Sequence, residues 1–239
     1  MKIRREWLLL VVLAALTMVL PAQQRLAQGG EKKTLDGLPL LYSEDFEKGA
    51  DRWRPTDATA WDVVEGRGGK VYSQHKRKSD YKPPHRSPLN ISLLKDLNVA
   101  DFVLTAKVRS TIADYGHRDV CLFFGYQDAA HFYYVHLGKK ADDHANQIFI
   151  VNDAPRIKIS TKTTTGTDWD DAWHDVKIVR RARGGTIEIY FDDMKNPVMT
   201  AANDVFRWGR VGVGSFDDTG QWDDVKIYGV KAEGKKPGK

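Results

Sequence analysis

The sequence predicts an all-β protein built as a two-sheet antiparallel jelly-roll sandwich. Between residues 40 and 229, apolar and polar residues alternate in short runs separated by Gly, Pro, Asn and Asp. Helical spacing is nearly absent there, whereas about a dozen strand-like runs follow one another. Most of these runs are apolar on one face, but Val120–Phe124 is apolar on both. One-sided strands at the rim and a two-sided strand at the centre favour a sandwich over a small barrel.

The clear strands are predicted at 100–110, 118–127, 131–138, 146–152, 156–160, 173–183, 186–192, 210–216 and 222–228. Weaker patterns predict strands at 41–46, 60–64, 70–73 and 89–93. The sequence RGGT at 183–186 predicts a tight hairpin turn, because glycine adopts the positive φ angles that such turns require. The basic, proline-interrupted segment from Lys70 to Pro88 predicts a long surface loop.

The two ends of the chain differ from this domain. Residues 1–22 begin with basic residues, continue with an apolar stretch and end in a cleavage region with small residues. This order predicts a secretory signal peptide rather than an integral membrane domain. Residues 23–39 are interpreted as a linker, residues 40–230 as the jelly-roll domain and residues 231–239 as a basic tail. We therefore expect a secreted, periplasmic or cell-surface protein, whose single cysteine, Cys121, excludes an intramolecular disulfide.

The net charge of +5 lies in the ends, since residues 1–22 carry +2 and residues 231–239 carry +3, which leaves residues 23–230 neutral. A neutral body argues against nucleic acid as a partner.

Aromatic and polar residues gather between residues 131 and 152. Strand alternation places Phe132, Tyr134 and His136 on one face. Aromatic rings stack on the apolar faces of sugars, and polar side chains supply directional hydrogen bonds, so this face predicts a carbohydrate site. Core packing is the competing interpretation of the rings. The predicted ligand contacts are Arg109, Phe132, Tyr134, His136, Asp142, His144, Asn146, Gln147 and Asn152.

An enzymatic alternative uses part of the same set. His136 or His144 would be the general base, and Tyr134, Arg109 or Lys139 would stabilise negative charge. Zinc is disfavoured, because His131 and His136 point to opposite faces of one strand and no cysteine is expected to assist.

Several motifs resemble the concanavalin A-like lectin and glucanase superfamily, in particular its laminin G-like and 3-keto-disaccharide hydrolase branch. The motifs on which this resemblance rests are YSEDF at 42–46, WHDVKI at 173–178 with IEIYFDD at 187–193, and GRVGVG at 209–214 with WDDVKI at 222–227. The resemblance implies two curved sheets that often receive a saccharide. It also implies a structural calcium ion held by Asp223 with Glu44 or Asp45. The alternative, equally compatible with the sequence, is that the Asp223 carboxylate is hydrogen-bonded and binds no metal.

The sequence therefore leaves three functional classes open. The first is an exported carbohydrate-binding domain for a poly- or oligosaccharide. The second is a glycoside hydrolase or polysaccharide lyase, and the third is a structural adhesion module. The absence of a recognisable catalytic carboxylate pair favours binding.

Overall fold

The structure, a computed structural model, describes residues 33–234, and these residues form two antiparallel sheets packed face to face. The predicted jelly-roll sandwich is thus confirmed. The signal-peptide prediction lies outside the described residues, as do most of the linker and residues 235–239 of the tail. Seventeen strands occur in the described part: β1 Thr34–Leu35, β2 Leu38–Glu44, β3 Trp53–Pro55, β4 Trp61–Gly66, β5 Gly69–Gln74, β6 Asn90–Leu94, β7 Val99–Ser110, β8 Asp119–Asp128, β9 His131–Gly138, β10 Gln147–Asn152, β11 Ile157–Lys158, β12 Ser160–Thr163, β13 His174–Arg181, β14 Thr186–Phe191, β15 Met199–Ala202, β16 Arg210–Ser215 and β17 Gly220–Lys231.

The larger sheet has ten strands. Eight of them run in the order β1-β2-β17-β7-β13-β14-β15-β12, and the β4–β5 hairpin joins through β5 to β17. The long strands β7 and β17 form its centre. The turn between β13 and β14 is the predicted hairpin, with positive φ at Gly184 and Gly185.

The smaller sheet has seven strands in the order β11-β10-β9-β8-β16-β6-β3. Strand β8 is central and buried on both faces, as its two-sided apolar pattern predicts. Val120, Leu122 and Phe124 enter the core between the sheets, whereas Cys121 and Phe123 enter a second cluster on the outer face of this sheet.

The core between the sheets follows strand alternation. Leu104, Ala106 and Val108 of β7 point inward and pack with Ile178 of β13, while Lys107 points outward. Burial of apolar strand faces supplies the main favourable term for folding, and it fixes the registers of the one-sided strands, since a slip by one residue would turn the apolar face to water.

Strands β1, β3, β12 and β15 were not expected from the sequence, and the strand predicted at 156–160 corresponds to β11 and ends where β12 begins. Strand β1 lies upstream of residue 40, within the segment interpreted as a linker. Strand β3 is three residues long and ends in Pro55, and β15 contains two alanines, so neither carries a strong strand pattern. Within residues 33–234, no helix has the length and apolar character needed to cross a membrane.

Candidate functional site

The outer face of the seven-stranded sheet carries the predicted aromatic row. Phe132 and Tyr134 of β9 lie on this face, and Tyr133 and Val135 point into the core between the sheets, so the predicted alternation is correct. On the neighbouring strand, Phe149 stacks against Tyr134 with 5.1 Å between ring centroids.

This aromatic face is covered. The loop 75–89 contributes Tyr81 to the outer cluster, and its Arg86 carbonyl accepts a hydrogen bond from the backbone N–H of Arg156. The guanidinium of Arg156 lies 4.5 Å from the ring centroid of Phe149 and 4.2 Å from that of Phe216. Its Nη1 also donates to the Tyr134 hydroxyl at 2.7 Å.

In this structure the predicted ligand contacts Phe132 and Tyr134 therefore lie on a covered face. Phe132 is 1% exposed and Tyr134 is fully buried, so neither ring can contact a ligand in this conformation. The rings form a second hydrophobic core, which is the competing interpretation that the sequence left open. Alternation identified their common face, but it could not reveal that a distant loop lies over that face.

A buried polar cluster lies at the end of the same face. Cys121 and His136 are directly opposed on β8 and β9. Asp119 Oδ2 lies 3.2 Å from His136 Nε2 and 3.3 Å from Cys121 Sγ. The sequence reasoning missed that the cysteine would lie beside this histidine, because periodicity does not give the register between strands.

Burial controls the protonation of this cluster. It lowers the pKa of His136 to about 3, and the nearby Arg156 acts in the same direction. Burial, reinforced by the neighbouring Asp218 carboxylate, raises the pKa of Asp119 well above its ordinary value. A neutral, enclosed imidazole is stable here, but it cannot reach a substrate as a general base.

Four residues of the enzymatic alternative, His136, Tyr134, Arg109 and Lys139, do not converge, and the alternative base His144 is exposed. Arg109 lies on the outer face of the ten-stranded sheet, on the side of the sandwich opposite to the aromatic face, because its neighbour Val108 points into the core. Lys139 follows β9 and pairs with Asp114. With Tyr134 and His136 buried, these side chains do not share a cleft.

The other predicted ligand contacts divide into two groups. Asp142, Asn146 and Gln147 have structural roles: Asp142 closes a turn by accepting from the N–H groups of His144 and Ala145, buried Asn146 donates to Thr163, and Gln147 donates to the Asp142 carbonyl. His144 and Asn152 are exposed. These five residues do not combine with the buried rings into a groove.

The predicted calcium ligands make hydrogen bonds and ion pairs within the protein. A bulge at Asp223 and Asp224, with φ +48° at Asp224, reverses the alternation of β17, so that Trp222 rather than Asp223 shares the core face with Val225. Asp223 therefore faces outward and pairs with Arg67 at 3.3 Å.

On the neighbouring strand, Glu44 accepts from the Tyr42 hydroxyl and from the Phe46 N–H, and Asp45 accepts from the Glu47 N–H. A cationic guanidinium thus lies beside Asp223, one of the residues to which the resemblance assigned a calcium ion. We derive no role for a metal from these three residues.

A different opening lies at one end of the seven-stranded sheet. This edge cleft, of about 500 Å³, is formed by the end of β8, by residues 95–98 and by the turn before β16. The guanidinium of Arg210 lies 5.1 Å from the Tyr126 ring centroid, and Gln127 donates to the carbonyl of Trp208 at 3.3 Å. The charged side chains that line the edge cleft are Arg54, Lys95, Asp96 and Arg210.

Trp208 was not among the predicted ligand residues, because tryptophans in a sandwich usually anchor the core. Trp53, Trp61 and Trp169 are indeed buried, whereas Trp208 is only partly buried and lines the edge cleft. Trp208 lies just before β16, in a segment where apolar and polar residues do not alternate, so the sequence pattern does not assign its ring to a core face.

Comparison with solved structures shows that this two-sheet jelly-roll fold is shared with domains of carbohydrate-related proteins. A carbohydrate-binding module, CBM66 from Bacillus subtilis, superposes with a TM-score of 0.52 at 18% identity over 74% of this chain and 95% of that chain. Domain 4 of AbnA, an extracellular GH43 arabinanase from Geobacillus stearothermophilus solved with arabinotriose, gives 0.51 at 13% identity over 81% and 94%. The cellulose-induced protein Cip1 gives 0.52 at 13% identity over 78% and 96%.

These identities establish a shared fold. No family model matches the sequence, and no curated protein matches it.

Proposed function

We propose that the chain is an exported carbohydrate-binding jelly-roll domain and that it receives its saccharide in the edge cleft. The observation that carries this proposal is the composition of the cleft. A partly exposed indole and a guanidinium stacked on a tyrosine stand beside the amide side chains of Asn98 and Gln127. Aromatic surface with a few convergent polar groups is the usual design of a small-molecule site.

The charge of the cleft favours an acidic saccharide. Arg54, Lys95 and Arg210 face one carboxylate, that of Asp96, which gives the lining a net charge of +2. A guanidinium binds a carboxylate through two parallel hydrogen bonds, so a uronate group is the substituent that this lining would recognise best.

Two further observations support the proposal. Three proteins with this fold are a carbohydrate-binding module, an arabinanase domain solved with arabinotriose and a cellulose-induced protein. A secreted or cell-surface location, expected from residues 1–22, would bring the cleft into contact with extracellular polysaccharide.

The test is retention of the purified protein on immobilised neutral and uronate-containing glycans, with product release measured in parallel. We expect retention on uronate glycans without release of products. Trp208→Ala and Arg210→Ala should each weaken binding by roughly tenfold or more, since each removes a contact at the centre of the cleft.

Arg207→Ala is the matched control, because Arg207 lies on the same turn but pairs with exposed Asp204 at 2.6 Å. Release of unsaturated or reducing-end products would contradict the binding proposal and support the enzymatic alternative. Absence of both retention and products would favour the adhesion module.

A further inference from the structure

Three carboxylates meet where the loop after β16 returns to the start of β8. One ligand oxygen from each of Asp119, Asp217 and Asp218 lies within 4.8 Å of the other two. Oxygens bound to one calcium ion at about 2.4 Å cannot be farther apart than this. We propose that these carboxylates hold a calcium ion, at a position separate from the predicted Glu44, Asp45 and Asp223 group and from the edge cleft.

The first argument concerns Asp119, which is fully buried. Its Oδ2 is occupied by the N–H of Phe216, by His136 and by Cys121. Its Oδ1 is also buried but has no hydrogen-bond partner in the described structure. A buried carboxylate oxygen without a partner is costly, and a bound cation would satisfy it.

The second argument concerns charge. Asp218 is fully buried and accepts from the Tyr115 hydroxyl at 2.7 Å and from the Asp119 N–H at 3.0 Å. The cationic side chain that approaches it is Arg77, at 3.7 Å and 58% exposed. One solvated guanidinium does not balance three carboxylates, two of them buried.

The ligand chemistry favours calcium over zinc. Carboxylate oxygens are hard ligands, and Asp217, which is only partly buried, connects the group to solvent and so provides an entry path. Asp119, Cys121 and His136 form a second triad with softer ligands, but all three are buried. There, the thiol and the imidazole already lie against Asp119 Oδ2.

The ion would join two parts of the sandwich. It would fix residues 216–219 to β8, and it would act on the loop 75–89 through Arg77, whose Nε donates to the Asp217 carbonyl at 3.2 Å. This loop covers the aromatic face, so a bound calcium ion would stabilise the loop in its covering position in a domain that has no disulfide.

The experiment is a titration of chelator-treated protein with terbium, a calcium substitute whose emission is sensitised by a nearby tyrosine. Tyr115, bonded to Asp218, is placed to be that donor. We expect terbium emission that calcium displaces, and a calcium-dependent rise in the unfolding temperature. Asp119→Asn and Asp218→Asn should each weaken the apparent affinity by roughly tenfold or more, because each removes a charged ligand.

Asp143→Asn is the matched control, because Asp143 also belongs to an Asp-Asp pair in a turn but pairs with Lys158 at 2.5 Å. If the buried variants fail to fold, Asp217→Asn provides the same test at a less buried position. The proposal is overturned if neither signal responds to calcium, or if the affinity is unchanged in the ligand variants. Binding that requires zinc and is lost in Cys121→Ser would also overturn it, in favour of the thiol-containing triad.

Discussion

The imidazole of His136 lies 3.2 Å from the carboxylate of Asp119, with side-chain exposures of only 6% and 1%. In an open site, such a pair would raise the pKa of the histidine. Here desolvation outweighs the attraction and lowers that pKa to about 3. His136 is consequently neutral throughout the physiological range, and its contact with Asp119 is structural.

This pair predicts a pH dependence of stability. Because the folded-state pKa of His136 is lowered, the unfolded chain binds more protons than the folded chain between pH 3 and pH 6.5. The contribution of this histidine to the free energy of unfolding is therefore fully present above pH 6.5 and falls with the pH. At pH 4 about 3 kcal/mol of it is lost. The raised pKa of Asp119 acts with the opposite sign, since it favours the folded state at low pH.

The histidine contribution can be isolated by comparison. His136→Gln should lose less free energy of unfolding than the parent between pH 7 and pH 4, as measured by urea denaturation. His144→Gln, at an exposed position after the same strand, should follow the parent. Equal pH slopes for His136→Gln and the parent would contradict a buried neutral imidazole.

Arg156 should contribute to stability by closing the aromatic face. Arg156→Ala removes the stacking on Phe149 and Phe216 and leaves the Tyr134 hydroxyl without its donor. We expect a loss of about 1–3 kcal/mol and increased binding of a hydrophobic dye, because apolar surface becomes accessible. An unchanged unfolding midpoint and unchanged dye fluorescence would mean that Arg156 is not needed to cover this face.

Gly214 should be intolerant of any side chain. A Cβ atom there would lie 1.9 Å from the carbonyl oxygen of Asn90 on the paired strand β6. Gly214→Ala must push β16 away from β6, and we expect a loss of about 3 kcal/mol or more, or failure to fold. Gly116→Ala is the control, since its Cβ would meet only the flexible side chain of Lys140 at 3.4 Å. Similar unfolding midpoints for both variants would show that the sheet accommodates the clash.

Binding in the edge cleft should depend on salt. The excess of Arg54, Lys95 and Arg210 over Asp96 attracts acidic glycans, and the attraction is screened beyond about 10 Å at 0.1 M salt. Calorimetry should give an affinity for uronate oligosaccharides that falls severalfold from low to high salt. Arg54→Gln combined with Lys95→Gln should flatten this dependence. A salt-independent affinity would contradict electrostatic recognition.

The fold could be predicted largely because strand alternation is a local property. The two-sided pattern of Val120–Phe124 identified the central strand, and the glycines at 184 and 185 identified a hairpin. The site could be predicted only in part. Which residues share a face follows from the sequence, but the covering of Tyr134 by Arg156, 22 residues away, depends on tertiary contacts.

A bulge and a strand register account for two further differences between prediction and structure. One bulge turned Asp223 away from the core, and the pairing of β8 with β9 placed Cys121 beside His136. Neither arrangement leaves a periodic signal, because bulges and registers are set by the neighbouring strand.

Gly234, the last described residue, lines the edge cleft, and a Cβ atom added there would lie 3.5 Å from the ring of Trp208. Four residues separate it from Lys239. An affinity tag, dye or surface linkage attached directly after Lys239 would therefore lie within a few residues of this cleft and could compete with a glycan for it. Glycan capture is best measured with protein that carries no attachment at this position.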